Sequence, residues 1–144
     1  MPSDRHQVIS QTLFLALHAY IRIVLYAPLR LRLRDGTFRE PDLVLVQRRD
    51  DPRRQPHYWV GADLVVEIVN PDDPECDTVV KRADYAETGI PEYWIVEPDA
   101  ERVMVLALRD GRYHEAGVYP QSEPVRSVLL PELAIPLQAI LAEP

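Results

Sequence analysis

Among 144 residues there is one lysine, one cysteine and only five glycines, and no apolar run approaches the span of a bilayer. Each scarcity excludes something. One cysteine, Cys76, can form no internal disulfide, so the chain reads as a protein of the reducing cytoplasm. A membrane-spanning helix needs about 18 or more consecutive apolar residues, and none are present, so no membrane partner is expected. The opening Met1-Pro2-Ser3-Asp4-Arg5-His6 does not follow the basic-then-apolar order of a secretory signal. So few glycines leave no Gly-rich phosphate loop, and no serine stands in a Gly-x-Ser-x-Gly elbow. The histidines His6, His18, His57 and His114 show no metal-ligand spacing, and each is expected at the surface or in a capping role.

What is present suits one globular domain with a sizeable core, at 47% hydrophobic and 27% charged residues. A net charge of −7 argues against coating nucleic acid by bulk electrostatics. The charge is uneven, however. Nine arginines (22, 30, 32, 34, 39, 48, 49, 53 and 54) face five acids between positions 22 and 54. From Asp63 to Glu101 acids dominate, and Lys81-Arg82 are the only bases. A basic first half can face a phosphate backbone while the acids hold metal or solvate the far side; chance clustering on a solvated surface is the plain alternative.

The pattern predicts a helix over residues 6–24, with Ser3 or Asp4 as its cap. Residues 25–33 alternate, with Leu29, Leu31 and Leu33 on one side and arginines on the other, and Asp35-Gly36 turns into a second strand over 38–46. Residues 47–58 read as a mobile polar loop beside the functional site. The apolar run 62–69 is expected to be a central strand, followed by a helix over 77–88 closed by Gly89. A strand at 92–96 and a hairpin across Asp110-Gly111 come next, and the prolines leave residues 129–141 ambiguous. The sum is an α/β or α+β domain with a mixed sheet and helices against it.

Chemistry gathers at three residues. Glu67 is a lone acid within Leu64-Val65-Val66-Glu67-Ile68-Val69, and an ionised carboxylate inside a buried strand costs several kcal/mol unless compensated. Asp42 follows Pro41 and leads into Leu43-Val44-Leu45-Val46. If the two strands are neighbours, period-2 alternation lets Asp42 and Glu67 converge. Lys81 follows 14 residues after Glu67. Two carboxylates bearing Mg²⁺ or Mn²⁺, with the Ile68 carbonyl as a further oxygen, and a lysine serving the attacking water would suit phosphodiester hydrolysis. Blander readings stand beside this one: Asp42 bonded to turn amides, Glu67 paired with an arginine, and Lys81 in surface pairs with Asp77 and Asp84. Tyr85, one turn after Lys81, is placed to brace it, whereas Tyr85, Tyr93 and Trp94 are expected in the core rather than stacked on bases.

The run Glu40-Pro41-Asp42-Leu43-Val44-Leu45-Val46, then Asp63 to Pro71, then Asp77 to Lys81, Tyr85 and Gly89-Ile90-Pro91-Glu92-Tyr93-Trp94-Ile95-Val96 resembles the Uma-two family. These are restriction-endonuclease-like proteins of the PD-(D/E)XK superfamily. The resemblance spans residues 6–113. It implies a restriction-endonuclease-like mixed sheet flanked by helices in a single domain over 1–144, a DNA substrate, and Asp42 and Glu67 as metal ligands. The superfamily's lysine usually stands two residues after the glutamate, where this chain has Val69; the resemblance implies that Lys81 takes over the role. Family members usually begin with an acid-rich strand pair, and this chain is expected to start without it. Its first helix also carries no acid after Asp4, where related nucleases supply a ligand. Glu40 and Asp77 are candidate outer groups, and Arg30, Arg32, Arg34, Arg48, Arg49, Arg53 and Arg54 are candidate backbone contacts. A homodimer would suit cutting of two strands. A catalytically inactive binding module, or a structural Glu67–Lys81 bridge, is the competing expectation.

Overall fold

The computed structural model describes residues 3–142. Helix α1 (Asp4–His18) opens the chain, capped by Ser3, whose hydroxyl accepts from the His6 amide. Strands β1 (Ile23–Tyr26), β2 (Arg30–Arg34), β3 (Thr37–Arg39), β4 (Leu43–Val46), β5 (Tyr58–Trp59) and β6 (Leu64–Ile68) follow. A π-helical turn, Cys76–Val80, runs into α2 (Lys81–Thr88). Strands β7 (Glu92–Glu97), β8 (Arg102–Arg109), β9 (Arg112–Pro120), β10 (Pro124–Arg126) and β11 (Ala134–Pro136) precede a final helix, α3 (Leu137–Leu141).

Six strands form the main sheet in the order β1-β4-β6-β7-β8-β9, antiparallel throughout except where β6 and β7 run parallel. A smaller sheet, β3-β2-β5, and the β10-β11 pair complete the architecture. Central strands buried on both faces must be apolar on both, and β4 and β6 are buried at every position. One face carries Leu43, Leu45, Leu64, Val66 and Trp94 against Ile9, Leu13 and Leu17 of α1 and Leu137 and Ile140 of α3. The other carries Val44, Val65, Tyr93 and Ile95 against Leu31, Trp59 and Tyr85. Each fully buried Leu or Val contributes about 1.5–3 kcal/mol, so this double-sided packing dominates stability and fixes the central strands rigidly. The α/β class, the mixed sheet and the flanking helices agree with expectation.

Two expectations need correction. Residues 25–46 do not make two long strands. Pro28 and Pro41 each lack a ladder donor, and the chain breaks there into four short strands shared between two sheets: β1 and β4 pair in the main one, β2 and β3 in the small one. The first helix also ends at His18, several residues early. The turn residues behave as their chemistry requires. Gly89 takes φ +84 as the cap of α2, and Asp110-Gly111 take φ +52 and +77 in a two-residue hairpin.

Candidate functional site

A cavity of about 500 Å³ opens where Asp42 enters β4 and where β6 and β7 end. Antiparallel register pairs Leu43 with Val66, which sets Asp42 beside Glu67 across the ladder. The two acids are locked reciprocally: the Asp42 amide donates to Glu67 Oε1 at 2.9 Å, and the Ile68 amide donates to Asp42 Oδ2 at 2.7 Å. Glu67, only 1% exposed, accepts from Tyr85 Oη at 3.1 Å and lies 2.6 Å from Lys81 Nζ, both through Oε2.

The π-helical turn brings Asp77 and Lys81 onto one side, with Nζ 2.9 Å from Asp77 Oδ1. That approach is an ion-pair contact without hydrogen-bond alignment, and Oδ1 has no hydrogen-bond partner among the described residues. The Tyr93 hydroxyl donates to the Asp77 carbonyl at 2.8 Å and pins the turn to the sheet. Single i→i+5 turns within helices occur frequently at functional sites.

Acids outnumber bases in the cavity lining: Glu40, Asp42, Glu67, Asp72, Asp77, Glu97 and Asp99 stand against Arg5, His6 and Lys81, and the innermost three, Asp42, Glu67 and Asp77, lie around Lys81. Burial pushes the Glu67 carboxyl up, to about 7; Lys81 pulls it down, and Asp42 and Asp77 add to the rise. Burial likewise raises Asp77 against the pull of Lys81. Burial works against the charge of Lys81, but Glu67 and Asp77 outweigh it and hold the ammonium above the ordinary lysine value. Lys81 is therefore a cation at any working pH.

Asp42, Glu67 and Lys81 do come together, and Asp77 joins them as an inner rather than an outer group. Ile68 lines the cavity, and Glu40 lies at its exposed rim. Of the two surface pairs expected for Lys81, the one with Asp77 forms but is buried, and Asp84 bonds Arg39 instead, at 2.7 and 3.1 Å. Tyr85 braces Glu67, not the lysine, because its hydroxyl reaches Oε2 from one turn further along α2. The loop over 47–57 is not beside the site. Asp42 precedes β4 and the loop follows it, so the length of that strand separates them. There Arg53 bonds Asp51 and Asp63 at 2.6 and 2.7 Å.

His6 was expected to be a surface or capping histidine and is neither. Its Nε2 lies 3.2 Å from Asp42 Oδ1, with the side chain 17% exposed. The hydrogen bond to Asp42 raises the imidazole pKa above 6.5, against the lowering effect of burial. Sequence carried no signal for this contact, because it joins a helix start to a strand entry 36 positions away.

The expected divalent metal can be tested against these residues. No group of three or more His, Cys, Asp or Glu converges as a preformed metal cage among the described residues. The donor set nevertheless suits a hard cation: beyond its ion pair with Lys81, buried Asp77 Oδ1 has no hydrogen-bond partner among the described residues, and acids outnumber bases in the lining. No helix of the described residues is long and apolar enough to cross a membrane.

Comparison with known proteins bears on the fold and the family. No curated protein matches the chain. A solved structure described as a "putative nuclease belonging to DUF820", from Anabaena variabilis ATCC 29413, superposes with a TM-score of 0.79 at 18% identity. The match covers 99% of this chain and 83% of that one, and at this identity it speaks for a shared fold. The family described as "Uma2: Putative restriction endonuclease" matches residues 1–138, so the chain belongs to the Uma2 family.

Proposed function

We propose that the protein is a divalent-metal-dependent nuclease hydrolysing phosphodiester bonds of DNA. The observation that carries the reading is the buried Glu67, locked to Asp42 and ion-paired with Lys81 at the wall of a cavity lined by more acids than bases. A protein that needed only a stable sheet would have no use for three like charges there, since each costs desolvation energy. Asp42 and Glu67 would hold Mg²⁺ or Mn²⁺, with the Ile68 carbonyl and Asp77 nearby. When bound, the metal would polarise the scissile phosphate and lower the pKa of a water.

The protein's own groups have separable tasks. Lys81, held protonated, would orient the attacking water, whose proton passes to bulk water as the bond to phosphorus forms, and would offset charge that builds on the phosphorane-like transition state. It is a donor rather than a base. Tyr85 and the Asp42 amide fix both Glu67 oxygens, so the carboxylate does not reorient as charge develops. The arginines divide into two sets. Arg34, Arg48 and Arg53 pair with acids, and Arg54 bonds the Arg49 carbonyl within the loop that lies away from the cavity. Arg30 and Arg32 lie over the rings of Phe38 and Tyr58, at 3.9 and 5.6 Å, and make no ion pair among the described residues. Planar guanidiniums pre-oriented on rings suit phosphate oxygens.

Incubating supercoiled and linear DNA with Mg²⁺ or Mn²⁺ tests the reading. Wild type should nick or cut, and Asp42→Asn and Glu67→Gln should lose at least a hundredfold in rate while unfolding at a similar denaturant midpoint. Cleavage that survives in both purified variants contradicts it.

A second reading is favoured by one observation: both Glu67 oxygens already have protein partners. In a structural pseudo-enzyme the Glu67–Lys81 bridge would be the end product. Lys81→Met would then destabilise the fold whether or not divalent cations are present.

A further inference from the structure

We propose that His6 is a nitrogen ligand of the same cation, paired with Asp42, and that it makes the site discriminate transition metals such as Mn²⁺ from Mg²⁺. This rests on the metal-dependent reading above and deepens it by naming the class of metal.

The geometry is close to that of two adjacent ligands. Two atoms bound at right angles to a metal at about 2.1 Å stand about 3.0 Å apart, and at a tetrahedral angle about 3.4 Å. His6 Nε2 and Asp42 Oδ1 are separated by 3.2 Å, so a cation could enter between them with shifts of only tenths of an ångström. The ring is delivered by a rigid element. The His6 amide donates to the Ser3 cap at 3.1 Å, and Ile9, Leu13 and Leu17 anchor the same helix in the core. Nδ1 is buried and bonds no group among the described residues, so no second contact fixes which ring nitrogen carries the proton. No acid follows Asp4 in α1, and of the α1 side chains at the cavity (Arg5, His6 and Ile9) only the imidazole offers a lone pair.

Ligand chemistry then sets the preference. Mg²⁺ takes oxygen ligands and retains several waters, and an imidazole adds little to its binding. Manganese, cobalt, nickel and zinc gain from a neutral nitrogen donor in the order of their general affinities. A site of one or two carboxylates plus His6 therefore favours Mn²⁺ and its heavier neighbours by more than carboxylates alone would.

The test uses Mn²⁺ and Mg²⁺ themselves, titrated calorimetrically into the whole protein and into His6→Ala and His6→Asn. Pulsed electron paramagnetic resonance of the bound Mn²⁺ supplies the independent readout. The expected result is a loss of about tenfold or more in Mn²⁺ affinity in both variants, a change of less than about threefold for Mg²⁺, and loss of nitrogen-14 coupling. Two outcomes overturn the proposal while leaving the nuclease reading intact: wild-type Mn²⁺ without nitrogen coupling, or Mn²⁺ and Mg²⁺ weakened equally by the variants. Wild type that binds neither metal, alone or with a phosphodiester oligonucleotide present, overturns both.

Discussion

Glu67 on β6 and Glu92 on β7 occupy neighbouring parallel strands, are 1% and 0% exposed, and project to opposite faces of the main sheet. Glu92 is enclosed by neutral donors. Trp94 Nε1 and Ser127 Oγ donate to Oε2 at 2.7 and 2.8 Å, and the Val128 and Leu129 amides donate to Oε1 at 2.9 Å. It does not line the cavity that holds Glu67, and it ties the C-terminal segment to the sheet. Glu67 instead meets a lysine, a tyrosine and two further acids at a cavity wall. Burial of a carboxylate alone therefore does not mark function. Its partners separate the two cases: dipoles that satisfy every lone pair make a structural acid, and like charges with an opening to solvent make a reactive one.

Several measurements would break or sharpen that contrast. The largest effect is expected at Glu92. Glu92→Ala leaves several buried donors without an acceptor, at about 1–3 kcal/mol each, and should cost about 4 kcal/mol in urea unfolding. Metal binding should survive below the lowered melting point. Lys81→Met comes next. It leaves Glu67 and Asp77 uncompensated and should cost about 3 kcal/mol without metal. A divalent cation at a hundred times its Kd should return about 2.7 kcal/mol of that, read as a rise in melting temperature. A loss that cations do not relieve would favour the structural bridge.

Glu67→Gln should be the mildest of the three for stability, within about 1 kcal/mol, because removing one of three crowded charges offsets the weakened bridge. The same crowding predicts a pH dependence. Glu67 is raised from 4.5 to about 7 in the folded chain, and Asp77 is raised too, so over that window the folded protein binds more protons than the unfolded one. Stability of the metal-free protein should fall as pH climbs from about 4.5 to 7. Denaturant midpoints across that range should slope downward in wild type and flatten in Glu67→Gln. A midpoint rising with pH in wild type would contradict the charge arrangement.

Sequence revealed the centre of this molecule better than its edges, for physical reasons. The apolar run through Glu67 and the alternation through Asp42 dictate strands, and a period of two leaves few ways to place the acids, so their meeting could be foreseen. Gly89 and Asp110-Gly111 announced their turns because few residues tolerate positive φ. The division of residues 25–46 between two sheets was hidden, because Pro28 and Pro41 say where pairing stops but not where the chain goes next. The π-helical turn was also hidden, as no residue preference distinguishes it from ordinary helix. His6, and the enclosure of Glu92 by Ser127, Val128 and Leu129, depend on contacts across 35 or more positions that no local pattern encodes.

The most direct test of the contrast is calorimetric titration of Mn²⁺ into wild type, Glu67→Gln and Glu92→Gln at a temperature where all three are folded. The account predicts binding in wild type and in Glu92→Gln with similar affinity, and its loss in Glu67→Gln. Binding that persists unchanged in Glu67→Gln, or that disappears equally in both variants, would contradict it.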